Sequence, residues 1–142
     1  MMPPSRFWTF LAAVLLVPAA ASFADFKFAG SFTITEVMEK KIDLEGQLIR
    51  LKFFSRSGIT QVGKDLYSVY LHGDGTLYVV FSKEGLEVMR KFSTTSSKGD
   101  SIYGILHSSF PLSNDSTYTG LLLEARGRSL SKNTSGETKV HW

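Results

Sequence analysis

The chain contains no cysteine. No disulfide can therefore brace the fold, and no thiolate can act as nucleophile, metal ligand or lipidation site. Strong charge is missing as well: 16 basic side chains face 13 acidic ones. A balance that mild does not point to nucleic acid, where affinity rests on clustered neutralisation of phosphates. The three histidines, His72, His107 and His141, do not recur at ligand spacing and have no paired carboxylates near them in sequence, so no metal site is expected. No serine sits in a Gly-x-Ser-x-Gly elbow. With no catalytic motif and no cofactor motif, the expectation is a protein that is not an enzyme and carries no cofactor. There is no internal repeat and no linker long enough to split the chain. Long apolar runs are absent except for one, at the start.

That run reads as the middle of an export signal. Met1 to Arg6 carries one positive charge, Phe7 to Val17 is almost unbroken apolar sequence, Pro18 interrupts it, and Ala19 to Ala24 supplies small residues. A peptidase needs small residues at its −3 and −1 pockets, and Ser22 and Ala24 fit them best. Residues 1–24 are therefore expected to be a signal peptide, with cleavage after Ala21 as the alternative, and residues 25–142 a single domain. The apolar run is short of the ~20 residues a spanning helix needs, and no later stretch reaches that length. The expected localisation is exported, periplasmic or extracellular, with no transmembrane segment after cleavage. Losing Arg6 leaves 15 basic against 13 acidic groups, a net charge of +2.

The first element of the domain reads as a short helix. Thr33-Ile34-Thr35-Glu36 matches a capping box, and the helix should end before Gly46. From Gln47 the period changes to two. Ile49, Leu51 and Phe53 alternate with Arg50, Lys52 and Phe54, a half-buried strand. A polar loop is expected over Ser55 to Lys64. Leu66 to Leu71 and Leu77 to Phe81 form the next two strands, joined through Gly73-Asp74-Gly75, where Asp-Gly supplies hairpin geometry. A short helix over Ser82 to Phe92 is predicted from Leu86, Met89 and Phe92. Ile102 to His107 is a fourth strand, with Gly104 marking a bend or a close approach, and Leu121 to Leu130 is a fifth. Ser108 to Thr119 between them reads as a polar loop. The tail is expected to fray from Ser131 to Gly136 and to be pinned back by Val140-His141-Trp142. The expected core is Ile49, Val69, Val79, Ile105 and Leu123.

The order strand, strand, strand, short helix, strand, strand resembles the oligonucleotide/oligosaccharide-binding (OB) fold. Several stretches look like that superfamily: Asp43-Leu44-Glu45-Gly46-Gln47-Leu48-Ile49-Arg50-Leu51, the hairpin from Asp65-Leu66-Tyr67 to Gly75-Thr76-Leu77-Tyr78-Val79, and the closing Leu123-Glu124-Ala125-Arg126-Gly127-Arg128. Small exported bacterial proteins of this fold share the signal, the size and the hairpin. The resemblance implies a mainly β domain, a small five-stranded OB-like Greek-key barrel with one or two short helices. The alternative is an antiparallel β-sandwich or open sheet.

The resemblance also implies a ligand surface on the outer face of the second and third strands. Ser68, Tyr70 and His72 share that face with Tyr78 and Val80, while Arg50, Lys52 and Arg56 stand nearby in sequence to meet phosphate or carboxylate. Tyrosines there can stack on sugar rings or bases. They can equally be strand formers with wet hydroxyls. Arg126 and Arg128 are expected on one side of the last strand, where they could grip an anion bidentately, although keeping an edge soluble is the simpler role. The expectation is a non-enzymatic binding module for a small anionic or saccharide ligand, with short single-stranded nucleic acid the weaker candidate. A structural protein meeting another envelope protein is the alternative, motivated by Phe54, Val80 and Leu122 as outward apolar positions.

Overall fold

A computed structural model describes residues 27–95, 98–132, 134 and 136–142. The expected signal, 1–24, lies outside the described residues. The domain is mainly β, with a few short helices, as the alternation predicts.

Residues 48–63 are one stretch of chain with two sets of neighbours. Its first part, β2 (Leu48–Phe53), alternates as expected: Ile49, Leu51 and Phe53 are buried while Arg50 and Lys52 are exposed. The polar stretch that follows is not a loop. It forms β3 (Ser55–Arg56) and β4 (Thr60–Gly63), both antiparallel to β5 (Leu66–His72). Polar residues pair readily there because an edge strand is solvated along one side. β5 turns through residues 73–75 into β6 (Thr76–Ser82). A 3₁₀ turn at Lys83–Gly85 and the helix α3 (Leu86–Lys91) then lead to β7 (Asp100–Ser113) and β8 (Ser116–Gly127).

Ahead of β2 lies an element without a sequence signal, β1 (Phe28–Thr33), which pairs parallel with β2. Parallel neighbours need a crossover, and the helices α1 (Ile34–Glu39) and α2 (Lys41–Leu44) supply it. The capping box is formed as predicted: the Glu36 N–H donates to Thr33 Oγ1 at 3.2 Å, and the Thr33 N–H to Glu36 Oε1 at 2.8 Å. The sheet order is β1-β2-β7-β8-β6-β5-β3, with β6 and β8 parallel. The sheet is mixed and is not closed into a barrel, an arrangement consistent with either an OB-like or a sandwich fold. Among the described residues no helix is long and apolar enough to cross a membrane.

Ile49, Val69, Val79 and Leu123 are buried in one cluster with Leu51, Phe53, Leu71, Phe81, Met89 and Leu106. Ile105 departs from expectation. It is buried on the opposite face, with Leu48 and Val140, because Ile102 and Leu106 hold the inward positions of β7. Gly104 marks the close approach foreseen for it: a Cβ there would stand 3.0 Å from the Ala125 Cα and 2.8 Å from the Leu123 side chain. Val140 does pin the tail, through β10 (Thr138–His141) against β9 (Ser129–Lys132).

The largest correction concerns residues 108–119. They are not a loop but the distal half of the β7–β8 hairpin, paired from Ser109↔Thr119 to Ser113↔Ser116. A register shift between His107 and Ser109, with Gly120 at φ +140° across from it, bends this arm. Phe110, Leu112 and Tyr118 then cover Tyr78, Val80 and Leu122. Val80 and Leu122 are consequently fully buried and offer no outward patch; Phe54 remains 47% exposed. The arm crosses β4 so tightly that a side chain at Gly63 would collide with the Leu112 carbonyl. Gly63→Val is expected to destabilise the protein by about 1–3 kcal/mol through overpacking and to speed proteolysis at the arm's tip, residues 113–116. Cleavage at the parent rate would show that the arm does not bear on Gly63.

A candidate anion-binding groove

The residues singled out for binding part company in the structure. Ser68 and Tyr78 are buried, Tyr78 lying under the arm with its ring stacked on Tyr118 at 4.3 Å between centroids. Tyr70 leans on Tyr78 at 5.1 Å and is 46% exposed, so it is the outer member of a three-ring stack. Burial pushes the Tyr118 hydroxyl up from its ordinary value, and the neighbouring tyrosines add to the effect. His72 is half-buried, with Nδ1 3.1 Å from Thr76 Oγ1 across the hairpin. The tyrosine face therefore survives only at Tyr70.

Arg56 is taken up by the fold. Its Nε donates to the Phe92 carbonyl (3.0 Å), Nη2 to the Arg90 carbonyl (3.0 Å) and Nη1 to the Ser57 carbonyl (2.9 Å). The guanidinium thus caps the C-terminal end of α3, where exposed carbonyls attract cations.

Arg50 and Lys52 come together with residues that the chain order keeps far apart. They line a groove of about 580 Å³ with Lys98, Arg128, Asp74 and Asp100, walled by Phe54 and floored by Ser101. The i, i+2 spacing on β2 puts Arg50 and Lys52 on one face. Lys52 lies opposite Ser101 in the β2–β7 register, and Arg50 Nε donates to Ser101 Oγ at 2.9 Å. That bond gives the exposed guanidinium one anchor on β7. Asp74 belongs to the β5–β6 turn and is tied to α1: the Thr35 N–H donates to Oδ1 at 3.0 Å, and Thr35 Oγ1 donates to its carbonyl at 3.1 Å. The backbone bond from Thr35 holds the Asp74 carboxyl below its ordinary pKa. Four cations thus meet the carboxylates of Asp74 and Asp100, with Glu36 acting on Lys52 as a third, and the arrangement can bind an anion by charge-assisted hydrogen bonds.

Sequence reasoning missed Lys98 and Asp74 as groove residues and weighed Arg128 as an anion contact only to set it aside as a solubilising residue. Arg128 does not share a side with Arg126. It follows the end of β8 and enters the groove, whereas Arg126 Nη2 pairs with Glu124 Oε2 at 3.0 Å. The other Glu124 oxygen is 2.9 Å from His107 Nε2, a brace beside the bend of the arm. Among the described residues no group of three or more His, Asp or Glu side chains is arranged to hold a metal.

No family model matches the chain, and no curated protein matches it. Among solved structures it is similar to a crystal structure from Leishmania major Friedlin described as an aspartyl-tRNA synthetase, at 11% identity and a TM-score of 0.44, over 90% of this chain and 30% of that one. The chain spans less than a third of that protein, and a likeness this distant carries no argument about function.

Two expectations follow from these contacts. Arg56→Ala should cost about 0.5–1.5 kcal/mol, the net worth of hydrogen bonds that water can partly replace, read as a lower denaturation midpoint with anion binding retained. The second concerns pH. Burial raises the Glu124 carboxyl, but the His107 hydrogen bond and the Arg126 charge outweigh it, so the pKa lies below the ordinary 4.5. A carboxyl lowered by folding stabilises the protein above its unfolded pKa and loses that contribution as pH falls through the folded value. Glu124→Gln should therefore flatten the stability profile below about pH 4.5, measured by urea denaturation between pH 3 and pH 6. Parallel profiles for the two proteins would refute the brace.

Proposed function

We propose that this protein is an exported, non-enzymatic binding module that holds an anionic ligand in the groove between β2, the start of β7 and Arg128. Export is supported by the charge, apolar run and small-residue site of residues 1–24. The OB-like reading is supported by the strand connections, since β5 and β6 pair as a hairpin, β6 lies parallel to β8, and residues 48–63 reach both β7 and β5. One observation carries the ligand assignment. Arg50, Lys52, Lys98 and Arg128, from three separate parts of the chain, converge on one cavity whose lining also holds Asp74 and Asp100, with the Glu36 carboxylate within electrostatic reach of Lys52. Unpaired like charges repel, so such a gathering is most stable when an anion completes it.

A second reading, contact with another envelope protein, is favoured by apolar exposure elsewhere. Ile42 is 87% exposed and Met38 44% exposed, close together on α1 and α2 beside Lys41. They are separate from the groove, so the two readings can be tested independently.

The discriminating experiment is calorimetric titration of the parent protein and a Lys52→Glu/Arg128→Glu variant with inorganic phosphate, citrate and glucuronate. The parent is expected to bind at least one of them, more weakly as salt rises, and the variant to lose tenfold or more in affinity while keeping its unfolding midpoint. A parent that ignores all three anions would end the groove assignment.

A further inference from the structure

The groove holds charges of both signs that do not neutralise one another. Resting on the binding role above, we propose that its anionic ligand also carries a cation: a short peptide with free ends, its carboxylate met by Arg50 and Arg128 and its ammonium by Asp74 and Asp100. Among the described residues no ion pair joins a cation of the groove lining to either of these carboxylates. Neutral partners anchor them instead. Arg50 Nε donates to Ser101 Oγ at 2.9 Å, and Asp74 Oδ1 accepts from the Thr35 N–H at 3.0 Å. The Arg128 N–H donates to the His141 carbonyl at 2.7 Å, which sets where that residue leaves β8. Lys52 is drawn to the Glu36 carboxylate and is not counted on for the ligand.

That separation decides between ligand classes. A plain anion reaching Arg50 and Arg128 enters a cavity that also holds Asp74 and Asp100, with Glu36 acting at Lys52, and like charges brought together repel. A plain cation meets the opposite obstacle in the four basic side chains. A molecule with one charge of each sign avoids both, and charge-assisted hydrogen bonds form at each end. Asp74 is exposed and keeps acceptor positions beyond the one Thr35 uses, while Asp100, the first residue of β7, is half-buried. A free amino acid carries both charges on one carbon. The ends of a dipeptide stand a peptide unit apart, which suits charges that the groove itself keeps unpaired. Its volume of about 580 Å³ lies in the range of small-molecule sites.

Three versions of one dipeptide make the test. At about pH 6 alanyl-alanine is charged at both ends, N-acetyl-alanyl-alanine keeps only the carboxylate, and alanyl-alanine amide keeps only the ammonium. Calorimetric titration of the chain as the cell produces it is expected to favour the unblocked dipeptide by about tenfold over either blocked form, as hydrogen bonds between charged groups contribute. The variant Asp74→Asn/Asp100→Asn, whose amide oxygen can still accept from Thr35, should lose that preference and bind the N-acetyl form more tightly than the parent does. A parent that binds the N-acetyl form as tightly as the unblocked dipeptide overturns the ammonium contact and leaves anion binding intact. Equal binding of the amide overturns the carboxylate contact. A preference that persists in the double variant overturns the roles given to Asp74 and Asp100. Silence from all three dipeptides, with phosphate, citrate or glucuronate still bound, removes the peptide and keeps the groove; silence from every ligand removes the binding role itself.

Discussion

The β7–β8 pair is the constraint on which the rest depends. On one side β7 carries β2 and, through it, β1; on the other β8 carries β6 and β5. Neither half of the sheet has another ladder to the other among the described residues, so the register of this one hairpin sets where both halves stand. Its tightest point is Gly104, where backbone meets the Leu123–Ala125 segment with no room for a side chain. Ile102 and Leu106 on one strand and Leu123 and Ala125 on the other then point inward together. A one-residue slip would turn all four to the opposite face.

The hairpin also decides which surfaces are available. Beyond the bend at His107–Ser109 it leaves the plane of the sheet and buries Tyr78, Val80 and Leu122. That burial stabilises: aromatic pairs such as Tyr78–Tyr118 contribute about 0.5–1.5 kcal/mol beyond their area. It also covers Tyr78 and Val80, most of the face that the sequence marked for a ligand. The groove lies against β2, whose Arg50 and Lys52 face outward.

How legible this was depended on how local each signal is. The capping box at Thr33, the alternation of β2, the turn at residues 73–75 and the helix that buries Met89 are each fixed by neighbours within a few residues, and each formed as read. β1 was invisible because its six residues have no clear alternation and one of them, Gly30, sits at φ +118°; only β2 makes it a strand. Ser108 to Thr119 read as a loop because Ser, Asn, Asp and a proline dominate it. Its strand character comes from pairing with itself and from the three apolar side chains, Phe110, Leu112 and Tyr118, that find a distant surface. Ile105 was read with the right burial and the wrong face.

The groove was legible by half, for the same reason. Arg50 and Lys52 announce themselves by spacing on one strand. Lys98 and Arg128 do not, since no local pattern says that the approach to β7 and the residue beyond β8 end beside β2. Arg56 shows the opposite case, a cation near the right sequence position whose three nitrogens each donate to a carbonyl, of Phe92, Ser57 and Arg90. Charge in sequence therefore marks a site poorly by itself. What separates Arg50 from Arg56 is the partner: a serine hydroxyl that orients one guanidinium toward the groove, against a helix end that absorbs the other. Because Ser101 is delivered by β7 and Arg128 by the chain leaving β8, the groove is assembled by the same hairpin that covers the tyrosines, and the two surfaces are consequences of a single register.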